Sequence, residues 1–140
     1  EEKRQIFRQL KFNVSEDGKF FAGHEDKDVS PVVEVVDLNG DGVEEVFVHW
    51  GNSYTSGNAE RSITLFVKDA MGQYVMNLGI PAGGYGMLAT RNLGFPDLEF
   101  YGPGFCRGVW RWNGSRYKYR CSREDKPGGC AWRGVKTLCP

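Results

Sequence analysis

Residues 31–50 read PVVEVVDLNGDGVEEVFVHW, and this stretch decides the fold. Two runs rich in β-branched and aromatic residues, 31–36 and 46–50, stand on either side of an acidic segment that contains two glycines. β-Branched and aromatic residues favour strands, and clusters of Gly, Asn and Asp between such runs mark turns. The stretch therefore predicts two strands joined by a short acidic loop.

The rest of the chain continues this pattern of short apolar runs separated by Gly- and Pro-containing turns. Aromatic residues make up 14% of the 140 residues and glycine occupies 19 positions, which suits short strands better than a helical bundle. Only residues 1–10 show helical spacing, through Ile6, Phe7 and Leu10. We predict a single domain, residues 1–140, that is mainly β: a disulfide-bonded sandwich or curved antiparallel sheet with a short N-terminal helix. No apolar run approaches the roughly 18 residues that span a membrane.

The cysteines are clustered at one end of the chain. The four are Cys106, Cys121, Cys130 and Cys139. An even number in so short a segment predicts two disulfides and an oxidising compartment. No Cys-x-x-Cys pair is present, and both histidines, His24 and His49, are distant in sequence, which disfavours zinc.

Asn113-Gly114 predicts a hairpin with a two-residue turn. With that turn Cys106 falls opposite Cys121, so among the three possible pairings we prefer Cys106–Cys121, which leaves Cys130–Cys139. Alternation places the aromatic rings on one face and a basic strip on the other. The strip consists of Arg107, Arg111, Arg116, Lys118 and Arg120. Nucleic-acid platforms present aromatic and basic side chains together, so we predict no nucleic-acid partner; the strip suits an anionic cell-wall polymer or an acidic protein.

The acidic loop carries the ligand pattern of a hard cation. Oxygen-bearing side chains stand at loop positions 1, 3, 5 and 9, with Gly42 at position 6 and a backbone carbonyl at position 7. Calcium takes six to eight oxygen ligands in such alternation. The predicted Ca²⁺ ligands are Asp37, Asn39, Asp41, Val43 and Glu45. The alternative is an ion-free turn whose carboxylates accept backbone N–H bonds.

Position 12 of the loop is Val48 and both flanks are predicted strands, so the loop is not an EF-hand. It resembles instead the calcium loops of FG-GAP and VCBS-type repeats of secreted and cell-surface proteins, in which a similar acidic run links two β-strands. The resemblance covers residues 35–50. Asn39 departs from it, because those loops often carry Asp there, and this lowers the charge of the site.

A broader resemblance covers most of the chain. It rests on the order of DLNGDG (37–42), GIP (79–81), GFPD (94–97), GPGFC (102–106) and WRWNG (110–114), which looks like a group of bacterial periplasmic proteins. The resemblance implies a bacterial source and a periplasmic or secreted location, and it supplies no catalytic residue. By analogy, some small exported proteins of this build neutralise cell-wall-degrading enzymes as lysozyme inhibitors, or toxins as immunity proteins.

The charge of the chain is divided unevenly along its length. Residues 1–60 carry 13 acidic and 6 basic side chains, a net charge of −7, and residues 61–140 carry 5 acidic and 12 basic ones, a net charge of +7. Such a division predicts an acidic face and a basic face that steer a charged partner. The alternative is that the two halves attract each other within the fold.

Catalytic patterns are weak in this sequence, and we predict that the protein is not an enzyme. Oxidised cysteines are not nucleophiles. Asp97 and Glu99 share a strand face, as a glycosidase pair requires, but nothing in the sequence distinguishes them from surface charges. Residues 51–60 are predicted to form a mobile loop, and the glycine-rich residues 82–90 a projecting loop, with a buried structural turn as the alternative. Their predicted partner-binding residues are Ser53, Tyr54, Tyr85 and Met87.

The predicted function is that of an exported, calcium-containing protein that binds a protein partner, inhibiting a cell-wall-degrading enzyme or neutralising a toxin. The first alternative is a calcium-dependent glycan-binding or adhesion module. The second is a small periplasmic hydrolase.

Overall fold

The computed structural model describes residues 2–22, 28–131 and 137–140. His24 lies outside them. The fold is mainly β, with an N-terminal helix, antiparallel sheets and two disulfides, which confirms the predicted fold class. Within the described ranges, no helix is long and apolar enough to cross a membrane. The chain divides into two compact units, Glu1–Pro81 and Ala82–Pro140.

The described residues form ten strands and three short helices, divided between the two units. The first unit contains α1 (Glu2–Leu10), β1 (Phe12–Val14), β2 (Phe20–Ala22), β3 (Val32–Val36), β4 (Glu45–Trp50), α2 (Ser53–Ser56), a 3-10 helix (Gly57–Ala59), β5 (Ser62–Lys68) and β6 (Tyr74–Pro81). The second unit contains β7 (Gly84–Asn92), β8 (Phe95–Tyr101), β9 (Cys106–Trp112) and β10 (Tyr117–Glu124).

The main sheet of the first unit is an antiparallel meander with the strand order β3-β4-β5-β6. One face of β4 presents Val46 and Val48 to a core that also contains Ile6 of α1, Phe66 and Tyr74. Ile6 is the buried residue of the predicted apolar stripe of α1, and Phe7 and Leu10 pack against the same core. The stripe therefore positions the helix on the sheet, because only that side of the helix is apolar.

Two glutamine side chains fasten α1 to the backbone of β6. Gln9 donates a hydrogen bond to the carbonyl of Tyr74 at 2.7 Å and accepts one from the amide of Met76 at 3.0 Å. Gln5 accepts a bond from the amide of Tyr74 at 3.2 Å. These bonds satisfy backbone groups at the edge of the sheet that would otherwise be open to pairing with another strand.

Residues 51–60, predicted to be a mobile loop, contain α2 and the 3-10 helix. Asn52 begins α2 with a capping box, in which its side-chain oxygen accepts bonds from the amides of Tyr54 at 2.9 Å and Thr55 at 3.1 Å. The hydroxyl of Thr55 in turn accepts a bond from the amide of Asn52 at 2.9 Å. The buried hydroxyls of Ser56 and Ser62 lie 2.7 Å apart, which ties the end of α2 to β5. The Asn-x-x-Thr spacing was the sequence signal for this cap.

Arg61 fixes the entry to the same segment. Its guanidinium donates to four backbone carbonyls at 2.9–3.0 Å, those of Val29, Ser30, His49 and Gly51. Burial lowers the pKa of Arg61 from its usual value. The side chain therefore acts as a structural clamp between residues 28–30 and the end of β4.

The sheet of the second unit has the strand order β10-β9-β8-β7. The prediction that 82–90 forms a projecting loop is wrong, because β7 occupies residues 84–92 and pairs with β8. Gly84 and Gly86 lie beside the Tyr101 ring, and a Cβ at Gly86 would stand 2.2 Å from the Tyr101 hydroxyl oxygen. Gly86 is thus required for close packing within a strand, whereas a Cβ at Gly84 would meet the Tyr101 ring at an ordinary contact distance of 3.5 Å.

The β9–β10 hairpin is correctly predicted in place but not in register. The turn spans 113–116, because the side-chain oxygen of Asn113 accepts bonds from the amides of Ser115 and Arg116, both at 3.0 Å. Trp112 consequently pairs with Tyr117, whereas the predicted two-residue turn would pair it with Ser115.

The preferred disulfide pairing is also wrong. The bonds join Cys106 to Cys130 and Cys121 to Cys139. A bulge between Tyr119 and Cys121 places Cys121 opposite Val109. Cys106 lies three residues from Val109 on β9, so it points to the opposite face of the sheet from Cys121. The bulge was not visible in the sequence.

Gly51 provides a test of how tightly α2 is held. Its φ is +109°, and a Cβ there would lie 2.5 Å from the Ser56 hydroxyl oxygen. Gly72 has a φ of +78° with nothing within 4 Å of an added Cβ. We expect Gly72→Ala to lower the free energy of unfolding by about 1 kcal/mol through backbone strain alone. Gly51→Ala should cost a further 1–3 kcal/mol, approximately, through overpacking.

Urea denaturation of the two variants measures the difference. Equal stability losses for Gly51→Ala and Gly72→Ala would mean that the α2 segment moves aside easily and is not fixed by its hydrogen bonds.

Candidate functional site

The acidic loop, residues 37–44, connects β3 to β4, and Val36 pairs with Glu45 at its base. The carboxylate of Asp37 accepts bonds from the amides of Gly40 and Gly42, both at 2.9 Å. Gly40 and Gly42 have φ values of +72° and +85°. The positive φ at Gly42 is what the sequence predicted for the sharp turn, since glycine adopts it without strain.

The second half of the loop is held by Asp41 and Asn39. One carboxylate oxygen of Asp41 accepts a bond from the amide of Val43 at 2.8 Å, and the other accepts one from the side-chain amide of Asn39 at 3.2 Å. Val43 itself is exposed. Hydrogen bonds thus connect the predicted ligands Asn39, Asp41 and Val43 within the loop.

Glu45 differs from the other acids of the loop, because its side chain is buried. Only 2% of the residue is exposed, and its carboxylate accepts a bond from the amide of Leu38 at 2.7 Å. Burial, with a smaller contribution from the negative charges of Asp41 and Asp37, raises the pKa of Glu45 to about 7. The ionised form of this carboxylate is therefore costly in the protein, and the negative charges of Asp41 and Asp37 add to that cost.

The structure brings the predicted ligands Asp37, Asn39 and Asp41 into one loop, and the predicted ligand Glu45 is buried at the start of β4. The three carboxylates accept N–H bonds, and over the described part of the chain no three His, Cys, Asp or Glu side chains are grouped closely enough to hold a metal. The donor set itself is all oxygen, which is the chemistry that calcium prefers.

The predicted partner-binding residues divide between the two units. In the first unit, Ser53 and Tyr54 are exposed on α2, and 69% of Tyr54 is accessible. In the second unit, Tyr85 and Met87 lie two residues apart on β7 and share a face. Met87 is 51% exposed, whereas Tyr85 is half-buried, with its ring 6.4 Å from that of Phe100.

Asp97 is a buried carboxylate that the sequence treated as an ordinary surface charge. It is 0% exposed and accepts two bonds from Arg111, at 2.8 and 2.9 Å, and one from the hydroxyl of Thr90 at 2.6 Å. Arg120 lies 3.4 Å away. Burial alone would raise the pKa of Asp97, but the bonds from Arg111 and Thr90 and the charges of Arg111 and Arg120 hold it below its usual value.

Glu99 forms a second ion pair on the same face of β8. It is 6% exposed and accepts two bonds from Arg123, at 2.7 and 3.0 Å, and one from the hydroxyl of Tyr101 at 3.0 Å. Arg123 and Arg107 also lie near Asp125, at 3.9 and 3.1 Å. Two members of the predicted basic strip, Arg111 and Arg120, are therefore paired with the buried Asp97. The buried Glu99 pairs with Arg123, outside the strip. Alternation along β8 was the available signal, since it places Asp97 and Glu99 on the face that carries Arg111.

His49 lies on β4 and its Nε2 is 2.9 Å from a carboxylate oxygen of Glu34 on β3. The contact joins neighbouring strands of the sheet.

Comparison of the chain with protein-family models, with curated proteins and with solved structures finds no match.

The buried carboxylate of Glu45 predicts a pH dependence of stability. Its pKa in the folded protein, about 7, exceeds the ordinary value of 4.5. The folded state then binds the proton more tightly, so the contribution favours folding below pH 4.5 and is lost as the pH rises through 7. Without added cations, we expect Glu45→Gln to stabilise the protein at pH 8 by about 2 to 3 kcal/mol and to remove this part of the pH dependence.

Thermal melting between pH 4.5 and 8 in the presence of a chelator provides the measurement. Glu44→Gln is the matched control. Glu44 is exposed, and its substitution removes the same charge from the position next to Glu45. If Glu44→Gln and Glu45→Gln stabilise the protein equally at pH 8, burial of Glu45 is not the cause.

Proposed function

We propose that the chain is an exported binding protein with a structural calcium site in its acidic loop, and that it inhibits a cell-wall-degrading enzyme or neutralises a toxin. The observation that carries the proposal is the burial of the Glu45 carboxylate directly after the loop that carries Asp37 and Asp41, whose negative charges add to the rise of its pKa. A divalent cation bound by the loop would relieve the cost of ionising these carboxylates.

Calcium would be held by the predicted ligands, that is, by the side chains of Asp37, Asn39, Asp41 and Glu45 and the carbonyl of Val43. When bound, the ion supplies positive charge to the loop and fixes the connection between β3 and β4. A rigid connection lowers the conformational entropy that the protein loses when a partner binds. The role is structural, and no reaction step is assigned to the ion.

Binding of a protein partner is supported by the exposed residues and by the compartment. The two disulfides indicate an oxidising environment, and we propose that this is the periplasm or the exterior of a bacterium. Exposed Tyr54 and Met87 are of the residue types enriched at interfaces. The lowered pKa of Asp97 and its bonds to Arg111 favour a structural role over that of a general acid.

A calcium-dependent glycan-binding or adhesion module is the competing proposal, and the acidic loop favours it equally. A small periplasmic hydrolase is the weaker one, since all four cysteines are in disulfides and the acids on β8 are held by arginines. Removal of calcium distinguishes the inhibitor from the glycan-binding module. It should weaken binding of a protein partner in the first case and abolish binding of a glycan in the second.

The proposed calcium site predicts that calcium raises the melting temperature only when Asp41 is present. We expect the melting temperature of the wild type to rise with added calcium, because a ligand bound only by the folded state stabilises it. Asp41→Ala should abolish this rise and the heat of binding in calorimetry. Asp69→Ala is the matched control, because Asp69 accepts bonds from the amides of Met71 and Gln73 in another turn.

Asp69→Ala should melt at a lower temperature but respond to calcium as the wild type does. A wild-type protein that shows neither heat nor a shift with calcium would contradict the calcium site.

The partner surface predicts loss of inhibition on truncation of exposed side chains. The assay is the clearing of a bacterial cell-wall suspension by a lysozyme in the presence of the protein and calcium. We expect Tyr54→Ala and Met87→Ala each to weaken inhibition about tenfold, as residues central to an interface do. Met71→Ala is the control, because Met71 is 85% exposed on a turn outside both predicted surfaces.

Inhibition that survives both Tyr54→Ala and Met87→Ala would place the partner surface elsewhere. Failure to inhibit any cell-wall hydrolase, together with glycan binding that a chelator abolishes, would favour the glycan-binding module.

A further inference from the structure

The second unit carries a strong positive charge that the proposed calcium site does not use. Residues 82–140 contain 10 basic and 4 acidic side chains, a net charge of +6. Two of those four acids, Asp97 and Glu99, are buried. Their carboxylates hold arginine side chains in place on the sheet.

The buried acids divide the basic strip into two parts with different net charge. At one end, Arg107 and the neighbouring Arg123, which lies outside the strip, are balanced by the buried Glu99 and the exposed Asp125. At the other end, Arg111 and Arg120 share the single charge of Asp97, and Lys118 pairs with Arg111 across β9 and β10. Three positive charges there face one negative charge, a local excess of two.

The arginines at the unbalanced end retain unused donors. Asp97 accepts from Nε and Nη2 of Arg111, which leaves three of the five N–H groups of that guanidinium. Among the described residues, Arg120 donates one bond, from Nη1 to Asp97 at 3.4 Å. The side chains of Arg111 and Arg120 remain 30% and 35% exposed, and Lys118 is exposed. The remaining donors are thus positioned by Asp97 and accessible to an anion.

We propose that Arg111, Lys118 and Arg120 form a docking surface for clustered carboxylates on a protein partner. This deepens the proposed binding function by giving the chemistry of the partner. An arginine already fixed by a buried carboxylate loses less side-chain entropy when it binds a second one. Since the strip is neutralised beyond Arg111, it offers a local patch for a few carboxylates and no continuous track for a phosphate polymer.

The test uses a fluorescently labelled hexaglutamate peptide, with linear polyphosphate of equal charge as the second probe. Fluorescence anisotropy at low ionic strength should show binding of the peptide that weakens as salt is added. Lys118→Glu and Arg120→Gln should each weaken it about tenfold, and Lys118→Gln by less than Lys118→Glu. Lys126→Glu is the control, because Lys126 is exposed in the same unit and stacks on Phe105 at 4.0 Å.

Several results would overturn the proposal. Equal weakening of peptide binding by Lys118→Glu and Lys126→Glu would mean that only the net charge of the protein matters. If the wild type does not bind the peptide, the proposed docking surface does not exist. Polyphosphate that binds ten times more tightly than the peptide would assign the patch to a polymer instead. In the lysozyme assay, loss of inhibition by Lys118→Glu supports the docking surface. Inhibition unaffected by Lys118→Glu but lost in Tyr54→Ala refutes the docking surface and leaves the proposed function standing.

Discussion

The burial of the Glu45 carboxylate at the start of β4 is the constraint on which the account of this protein depends. Glu45 pairs with Val36 in the sheet and accepts a bond from the amide of Leu38, so its position is set by the strand and the loop together. A carboxylate in that position is stable when it is protonated or when a cation lies beside it. The β3–β4 connection therefore links the fold of the first unit to proton and metal binding.

The buried carboxylates of the second unit are stabilised differently from that of Glu45. Asp97 and Glu99 are as inaccessible as Glu45, yet each receives two bonds from an arginine. The pKa of Asp97 is lowered whereas that of Glu45 is raised. The second unit thus contains its own counter-ions, while the acidic loop of the first unit has only acids as charged neighbours that shift the pKa of Glu45. This contrast is the reason why a metal ion is proposed for the loop and an anionic partner for the sheet.

The sequence predicted elements whose signals are local. The strands around residues 37–44, the N-terminal helix and the presence of two disulfides all followed from periodicity, turn residues and cysteine count. The disulfide pairing failed because a bulge after Tyr119, together with the turn set by Asn113, changes the register. The interpretation of residues 82–90 as a loop failed because Gly86 leaves room for the side chain of Tyr101 within a strand. Such long-range packing leaves no local pattern in a sequence.

Glu45 is a buried acid, and we propose that a cation stabilises its charge. Titration of the Glu45 carboxyl carbon by ¹³C NMR, with and without calcium, tests both statements. We expect a midpoint near 7 without calcium, as the burial of Glu45 requires, and a midpoint well below that value when calcium is bound. A midpoint near the ordinary 4.5 that does not move with calcium would contradict both.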